Sequence, residues 1–289
     1  MIGTERDAAC VLRVLSQRPD LRRYVRALVV RRPAIGAHER SPARDQLLRL
    51  LGLVPRCACV RIDPVPPSGG ATMLSAMLAR KTKLRSLAIG SADSAWICNT
   101  LAWIIIRQNR LTLVQLSLGE LHSPPVGPKS FELPRLTHLA STSAHSAGLA
   151  WVAWRAPALR TIDVSVEQLL LLPHMVAAYI RDVRIRSHGP GSASAVWALI
   201  HYPRVARLAI AGSGWGQWTD VHLRILPARI AELDLEDYVG STTRINALLQ
   251  DRTSKWLPEL RCLHRPCLET GVRDVELLDT CRSRGIECV

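Results

Sequence analysis

Apolar residues recur along this chain with one spacing, apolar-x-x-apolar-x-apolar, which suits a single short β-strand. A proline or a basic residue usually precedes it. The phrase is plain in "TKLRSLAIG", "NRLTLVQLSLG", "APALRTIDVSV", "YPRVARLAIAG" and "LPARIAELDLED", and about ten copies can be counted. Successive copies stand roughly 21 to 32 residues apart, and such intervals are typical of stacked-repeat proteins.

Segments with the apolar spacing of helices alternate with the strand phrases. The predicted helices are Glu5–Gln17, Ala43–Val54, Ser94–Arg107, Ala147–Arg155, Glu167–Ala178, Ala193–His201, Thr242–Gln250 and Arg273–Arg284. The first strand is predicted within Pro19–Val30. Because one repeat cannot bury both its strand and its helix, neighbouring repeats must stack into a continuous core.

The alternation predicts an α/β fold, a leucine-rich-repeat solenoid with a curved parallel sheet on its concave side and helices on its convex side. A doubly wound sheet is the structural alternative, but neither G-x-G-x-x-G nor G-x-x-x-x-G-K-[ST] occurs. We predict one solenoid domain over residues 1–289. Residues 1–30 form its N-terminal helix and first strand, and 267–289 its C-terminal capping helix and strand.

Composition restricts the compartment and the cofactors. Eight cysteines without a C-x-x-C pair predict reduced thiols, and neither a metal site nor a cofactor is expected. No secretory signal is recognisable, and the most apolar stretch, "AWICNTLAWIII", is too short to span a bilayer. We therefore expect an intracellular protein, cytoplasmic or nuclear, that is not inserted in a membrane.

The net charge of +14 comes almost wholly from arginine. Such a charge suits nucleic acid or another polyanion, yet it is also compatible with a chain that prefers arginine on its surface. Arginines are more frequent near the N-terminus. Aromatic residues do not alternate with them, as they would in a surface on which bases stack. A polyanion-binding protein is therefore the alternative function.

The phrases "RPDLRRYVRALVV", "APALRTIDVS", "YPRVARLAI" and "VELLDTCRSRGIECV" resemble the leucine-rich-repeat portion of fungal F-box-type proteins. In that family the repeats present a substrate to a ubiquitin ligase, and the F-box binds a Skp1-type adaptor. Only 18 residues precede "PDLRRYV" and none of them matches an F-box. The resemblance therefore implies a protein partner, and a Skp1-type adaptor only where an F-box precedes this sequence.

Polar positions between the apolar ones of a repeat strand face the open side of the sheet. In the later repeats these positions are charged, which predicts lateral pairs between Asp163 and Arg184 and between Arg207 and Glu232. They form either a self-neutralising ladder or a groove that selects a partner with complementary charge. The candidate partner-binding residues are Thr161, Asp163, Asp182, Arg184, Arg186, Arg207, Glu232, Asp234 and Glu236.

Catalysis finds little support in the sequence. "AGSGWGQW" places Ser213 among glycines, but it does not match the G-x-S-x-G of a nucleophile elbow. No catalytic residue is assigned. The leading hypothesis is a non-enzymatic scaffold for protein–protein interaction, related in its repeats to ubiquitin-ligase substrate receptors.

Overall fold

A computed structural model gives the structure of this chain, and it divides into two compact units, Met1–Ala158 and Leu159–Val289. We call them unit 1 and unit 2. The structure describes residues 5–31, 49–54, 56–63, 83–89, 99–119, 131–141, 147–172, 174–186, 197–211, 220–234, 242–251, 256–264 and 275–289.

Unit 1 contains five parallel strands whose spatial order follows the sequence. The strands are β1 (Ala27–Arg31), β2 (Cys59–Asp63), β3 (Ser86–Ile89), β4 (Gln115–Leu118) and β5 (His138–Ser141). The helices are α1 (Glu5–Gln17), α2 (Asn99–Gln108) and α3 (Ala147–Trp154), and a 3-10 helix covers Pro19–Tyr24.

Unit 2 contains six parallel strands, again in sequence order. The strands are β6 (Thr161–Ser165), β7 (Asp182–Arg186), β8 (Arg207–Ala211), β9 (Glu232–Asp234), β10 (Cys262–His264) and β11 (Glu287–Cys288). The helices are α4 (Val166–Leu171), α5 (His174–Ala177), α6 (Asp220–Arg224), α7 (Thr242–Gln250) and α8 (Val275–Ser283).

The sequential strand order decides between the two predicted architectures. A doubly wound sheet reverses its strand order at a switch point, whereas a solenoid adds each strand beside the previous one. Within each unit every paired strand follows the second rule and is parallel to its neighbour. The predicted α/β leucine-rich-repeat fold is therefore confirmed.

One hydrogen-bond device fixes the register at the start of the strands. The carbonyl of the residue just before a strand accepts from two consecutive N–H groups of the next repeat. The Arg85 carbonyl accepts from Val114 at 2.7 Å and from Gln115 at 3.0 Å, and the Arg181 carbonyl accepts from Ala206 at 2.8 Å and from Arg207 at 3.1 Å. The same residue of each repeat thereby lies at the same height on the sheet.

The apolar positions of the phrase form two buried rows in each unit. The residue that opens the phrase, such as Leu84 or Ile180, has no exposed surface, and the strand residue three places on, such as Leu87 or Val183, is 2% exposed. Burying a side chain of this size contributes about 1.5–3 kcal/mol. The spacing that predicts the strands is therefore also the spacing that makes the core.

A buried asparagine supports the α2–β4 connection in unit 1. Asn109 is 1% exposed, and its Oδ1 accepts the Leu84 N–H at 2.8 Å. Its Nδ2 donates to the Ile105 carbonyl at 2.9 Å, and the Thr112 hydroxyl donates to the Leu84 carbonyl at 2.8 Å. These side chains thereby hydrogen-bond backbone N–H and C=O groups that have no partner in the sheet. Such groups need a partner when they are buried.

Two predicted elements differ from the structure for reasons that involve proline. The helix predicted over Glu167–Ala178 is two helices, α4 and α5, because Pro173 lacks an N–H and disfavours helical backbone before it. Leu172 is accordingly extended, with φ −70° and ψ 136°. The strand predicted within Pro19–Val30 begins only at Ala27, because Pro19 starts a 3-10 helix.

The predictions for α1 and α7 are confirmed to the residue. The cysteines within the described residues are free thiols. Within the same stretches, no helix is long and apolar enough to cross a bilayer. The prediction of one domain over 1–289 stays a prediction.

Candidate functional site

The predicted partner-binding residues lie on one side of the unit 2 sheet, in register. Thr161 pairs with Asp182, Asp182 with Arg207, and Arg207 with Glu232. A second row joins Asp163, Arg184, Ala209 and Asp234, and a third joins Ser165, Arg186 and Ala211. We call this surface the mixed-charge face. Glu236, the last residue of the predicted set, lies outside the described residues.

Alternation along the strands places these side chains on the open side. Val183 and Ile185 of β7 are buried, whereas Asp182 and Arg186 are half-buried and Arg184 is exposed. The same alternation holds in β8 and β9, since a strand turns successive side chains to opposite faces. A one-residue slip in register would bury these charges, so the apolar rows fix the polar ones.

The first row is a chain of polar contacts centred on Arg207. Its Nε lies 2.9 Å from Glu232 Oε2 and 4.0 Å from Asp182 Oδ1. The Thr161 hydroxyl donates to Asp182 Oδ2 at 3.1 Å. Because the Arg207 side chain is 62% exposed, solvent screens these pairs and each contributes at most about 1 kcal/mol. The predicted Arg207–Glu232 pair is therefore present and energetically weak.

The second row differs from the prediction in the partner of its carboxylate. Asp163 and Arg184 are register neighbours, and Asp163 Oδ2 also accepts from Arg186 Nη2 on the same strand as Arg184. The two paired side chains are only 22% and 29% exposed, less than those around Arg207. Asp163 Oδ1 is buried and has no hydrogen-bond donor among the described residues. This oxygen is an acceptor that a bound N–H group would satisfy.

Two alanines interrupt the charged rows in the middle of the face. Ala209 and Ala211 of β8 are half-buried, and both stand beside β7 positions that carry arginine, Arg184 and Arg186. On the other side of Ala209 stands Asp234. Since parallel strands are about 4.8 Å apart, the methyl groups form a shallow floor between a cationic and an anionic wall about 10 Å apart.

The structure extends the face by residues that the sequence prediction missed. Glu232 pairs in register with Cys262, which pairs with Glu287, and Asp234 pairs with His264. Burial and the carboxylates of Glu287 and Glu232 raise the pKa of the Cys262 thiol. The strand phrase "LPELRCLHRP" predicts these positions, but its Cys and His carry no formal charge and so do not mark a charged face.

A second surface of unit 2 was also missed, on the side of its helices. Tyr202 donates from its hydroxyl to the Leu169 carbonyl at 3.1 Å, and the His174 and His201 rings lie 4.6 Å apart. These contacts hold α4 and α5 against residues 197–202. Around them lie exposed apolar side chains, namely Leu170, Leu171, Met175, Tyr179, Trp197 and Ile200. The segment "LLLLPHM" has more consecutive apolar residues than one face of a helix can bury, so the sequence itself indicates an exposed apolar surface here.

A polar pocket of about 950 Å³ lies at the C-terminal end of unit 2. Three of its charged residues have partners, since Asp251 pairs with Arg224 at 3.2 Å, Asp279 pairs with Arg282 at 3.0 Å and Arg284 donates to the Leu249 carbonyl at 3.1 Å. The lining residues are Leu249, Gln250, Asp251, Pro258, Glu276, Asp279, Thr280, Ser283 and Arg284. Their contacts join α7 to α8, so the pocket is part of the capping structure.

Within the described residues, no group of three or more His, Cys, Asp or Glu side chains is arranged to hold a metal ion. The "AGSGWGQW" segment, apart from Ala211, lies outside the described residues. The mixed-charge face offers ion pairs, hydrogen bonds and, at its alanines, room for the close approach of a backbone.

No protein-family model matches the sequence. No curated protein matches it either. Among solved structures, the chain is similar to the crystal structure of the leucine-rich repeat-containing protein LegL7 from Legionella pneumophila, with 10% identity, 91% of each chain covered and a TM-score of 0.49. The fold assignment stands on the strand order and register described above.

Proposed function

We propose that this protein is a non-enzymatic interaction scaffold and that a protein partner binds across the mixed-charge face of unit 2. The observation that carries the proposal is the alanine floor between Arg184 and Asp234. Small residues there admit a partner's backbone, and the walls of opposite charge set its orientation.

The charges on the face favour a protein partner over a polyanion. Asp163, Asp182, Glu232 and Asp234 put carboxylates in every charged row except the one that holds Arg186. A phosphate backbone would meet these carboxylates at close range, whereas a peptide carries both signs of charge. The buried Oδ1 of Asp163 adds an acceptor that a peptide N–H or a lysine would satisfy.

Substrate recognition for a ubiquitin ligase is the finer form of this proposal. Its support is the resemblance of the repeats to F-box-type proteins, which implies a Skp1-type adaptor where an F-box precedes this sequence. The finer form is tested separately, by whether such an adaptor co-purifies with the full-length protein.

The test is quantitative affinity purification with Arg184→Glu and with a matched control, Arg282→Glu. Arg282 is 81% exposed and pairs with Asp279 on α8, away from the sheet, so both variants change the net charge equally. We expect a reproducible protein partner whose recovery falls at least about 10-fold with Arg184→Glu, as loss of a charge contact of about 1.4 kcal/mol implies. Equal recovery with both variants would contradict the proposal.

A further inference from the structure

Basic residues flank the residue that opens the strand phrase in most repeats. Arg26 and Arg85 follow that residue, whereas Arg56, Lys83 and Arg135 precede it. All five side chains are exposed. We call these five residues the entry cations, because they lie where the chain enters the strands.

The backbone holds Arg26 and Arg85 at the same height on the sheet. Arg56, Lys83 and Arg135 lie two residues earlier in their repeats, so the line that the five form is two residues broad and the β4 repeat adds none to it. The Arg26 carbonyl accepts from Ala58 at 2.9 Å and from Cys59 at 3.0 Å, and the Arg85 carbonyl accepts from the repeat that follows it in the same manner. Each repeat therefore advances by one strand spacing, about 4.8 Å, and the five strands of unit 1 span about 19 Å. The line is as rigid as the sheet that carries it.

The first row of positions beside this line carries no carboxylate, although the exposed Glu132 lies three residues before Arg135. The first exposed position of each strand in unit 1 is occupied by a residue that is not acidic, in the order Ala27, Cys59, Ser86, Gln115 and His138. The entry cations make no ion pair within the part of the chain that the structure describes. Charges of one sign within a screening length of about 8–10 Å add their potentials.

We propose that the entry edge of unit 1 binds the phosphodiester backbone of single-stranded nucleic acid. Four of the five entry cations are arginines, whose planar guanidinium donates two parallel N–H groups to a phosphate. A flexible single strand can follow a straight line of charge, whereas a duplex curves its phosphates away from it. This interaction is independent of the protein partner proposed for unit 2.

The sheet face of unit 1 beside the entry edge indicates how strongly the bases of a bound strand would be contacted. Ser86 and Gln115 are joined by a 3.1 Å hydrogen bond, and Ala88, Ser117 and Ala140 fill the next row of positions. At the described positions of these two rows His138 supplies one ring, and the other side chains offer a base no ring on which to stack. Binding is therefore carried by phosphate contacts and shows little dependence on base sequence.

Unit 2 supplies a control with the same local geometry. Arg181 and Arg261 follow the residue that opens the phrase in their repeats as Arg26 and Arg85 do, and Arg204 precedes it as Arg135 does. Asp182 and Glu232 adjoin this edge, and Glu259 lies within it. The local potential is therefore reduced, although the arginines are equally exposed.

The experiment compares two triple variants of the full chain that lose the same charge. One is Arg26→Gln with Arg85→Gln and Arg135→Gln. The other is Arg181→Gln with Arg204→Gln and Arg261→Gln. Binding of a fluorescent 20-nucleotide oligouridylate is measured by anisotropy across a salt series, and circular dichroism checks that each variant is folded. A third variant, Arg26→Lys with Arg85→Lys and Arg135→Lys, preserves the charge.

We expect the unmodified chain to lose about 100-fold in affinity between about 50 and 200 mM salt, as five phosphate contacts on a single strand imply. The unit 1 glutamine variant should lose less than about 10-fold over the same range and bind at least about 10-fold more weakly at the lower salt. The lysine variant should retain most of the affinity. The unit 2 variant should remain close to the unmodified chain.

Three results would overturn the proposal. One is an equal loss of affinity in both glutamine variants, which would show a non-specific response to net charge. Another is displacement of the oligouridylate by polyglutamate, or by vesicles rich in phosphatidylserine, at phosphate or carboxylate concentrations no higher than those needed with unlabelled oligouridylate. The third is tighter binding of a duplex of the same length.

Discussion

The two units share their buried rows but differ in the residues at their exposed strand positions. In unit 1 the first exposed row runs through Ser86 and Gln115 without a carboxylate, and its entry edge is cationic. In unit 2 the corresponding row alternates acid and base through Asp182, Arg207 and Glu232. A repeat therefore fixes only the positions of its side chains, and the identity of the exposed residues determines which kind of partner the surface fits.

The largest expected difference between the units is the coupling of paired side chains on their faces. A double-mutant cycle on Asp163→Ala and Arg186→Met should give about 1.5 kcal/mol, because this charged pair is more than two-thirds buried. A cycle on Ser86→Ala and Gln115→Ala should give about 0.5 kcal/mol or less, because that pair is neutral and exposed. The free energy of unfolding in urea measures both.

Equal coupling free energies in the two cycles would contradict the claim that the paired side chains on the two faces differ in strength. The cycle on Arg207→Met and Glu232→Gln is the matched control within unit 2. Its members are 62% and 37% exposed, so a charged pair without burial should couple by less than about 1 kcal/mol.

A smaller effect is expected at two cysteines that occupy equivalent positions. Cys262 stands between Glu232 and Glu287, and burial together with these carboxylates raises the pKa of its thiol. Its ionised fraction near pH 8 is therefore depressed, and Glu287→Gln should accelerate its alkylation by iodoacetamide, because the thiolate is the nucleophile. Peptide mass spectrometry resolves the rate at each cysteine.

Cys59 is the control for this measurement. It holds the same position in β2, where its register neighbours are Ala27 and Ser86. Its alkylation rate should be the same in the Glu287→Gln variant as in the unmodified chain. An unchanged rate at Cys262 would contradict the electrostatic account of the unit 2 face.

The sequence was sufficient for the fold because burial and register depend on the same apolar spacing. Positions such as Leu87 and Val183 hold the same place in each apolar-x-x-apolar-x-apolar phrase. They could therefore be assigned to the buried side of a strand from the sequence. The effects of proline were harder to predict, since the end of α4 at Leu172 depends on the backbone conformation of the residue before Pro173.

The candidate site was predicted only in part, because side-chain reach does not follow from strand period. Arg207 meets Glu232 as the register predicts, whereas Asp163 accepts from Arg186, two residues along β7 from its register neighbour Arg184. The exposed apolar side chains near Tyr179 and Trp197 depend on how helices pack, which no strand phrase encodes. Local spacing therefore predicts positions, and packing decides contacts.

Hydrogen exchange on the full chain tests most directly the claim that the two units serve different partners. Peptides are compared with and without the 20-nucleotide oligouridylate at low salt. The account predicts slower exchange at the strand entries of unit 1, around Arg26, Arg85 and Arg135, and no change across β6 to β9 in unit 2. Protection that falls mainly in unit 2, or equally in both units, would contradict it.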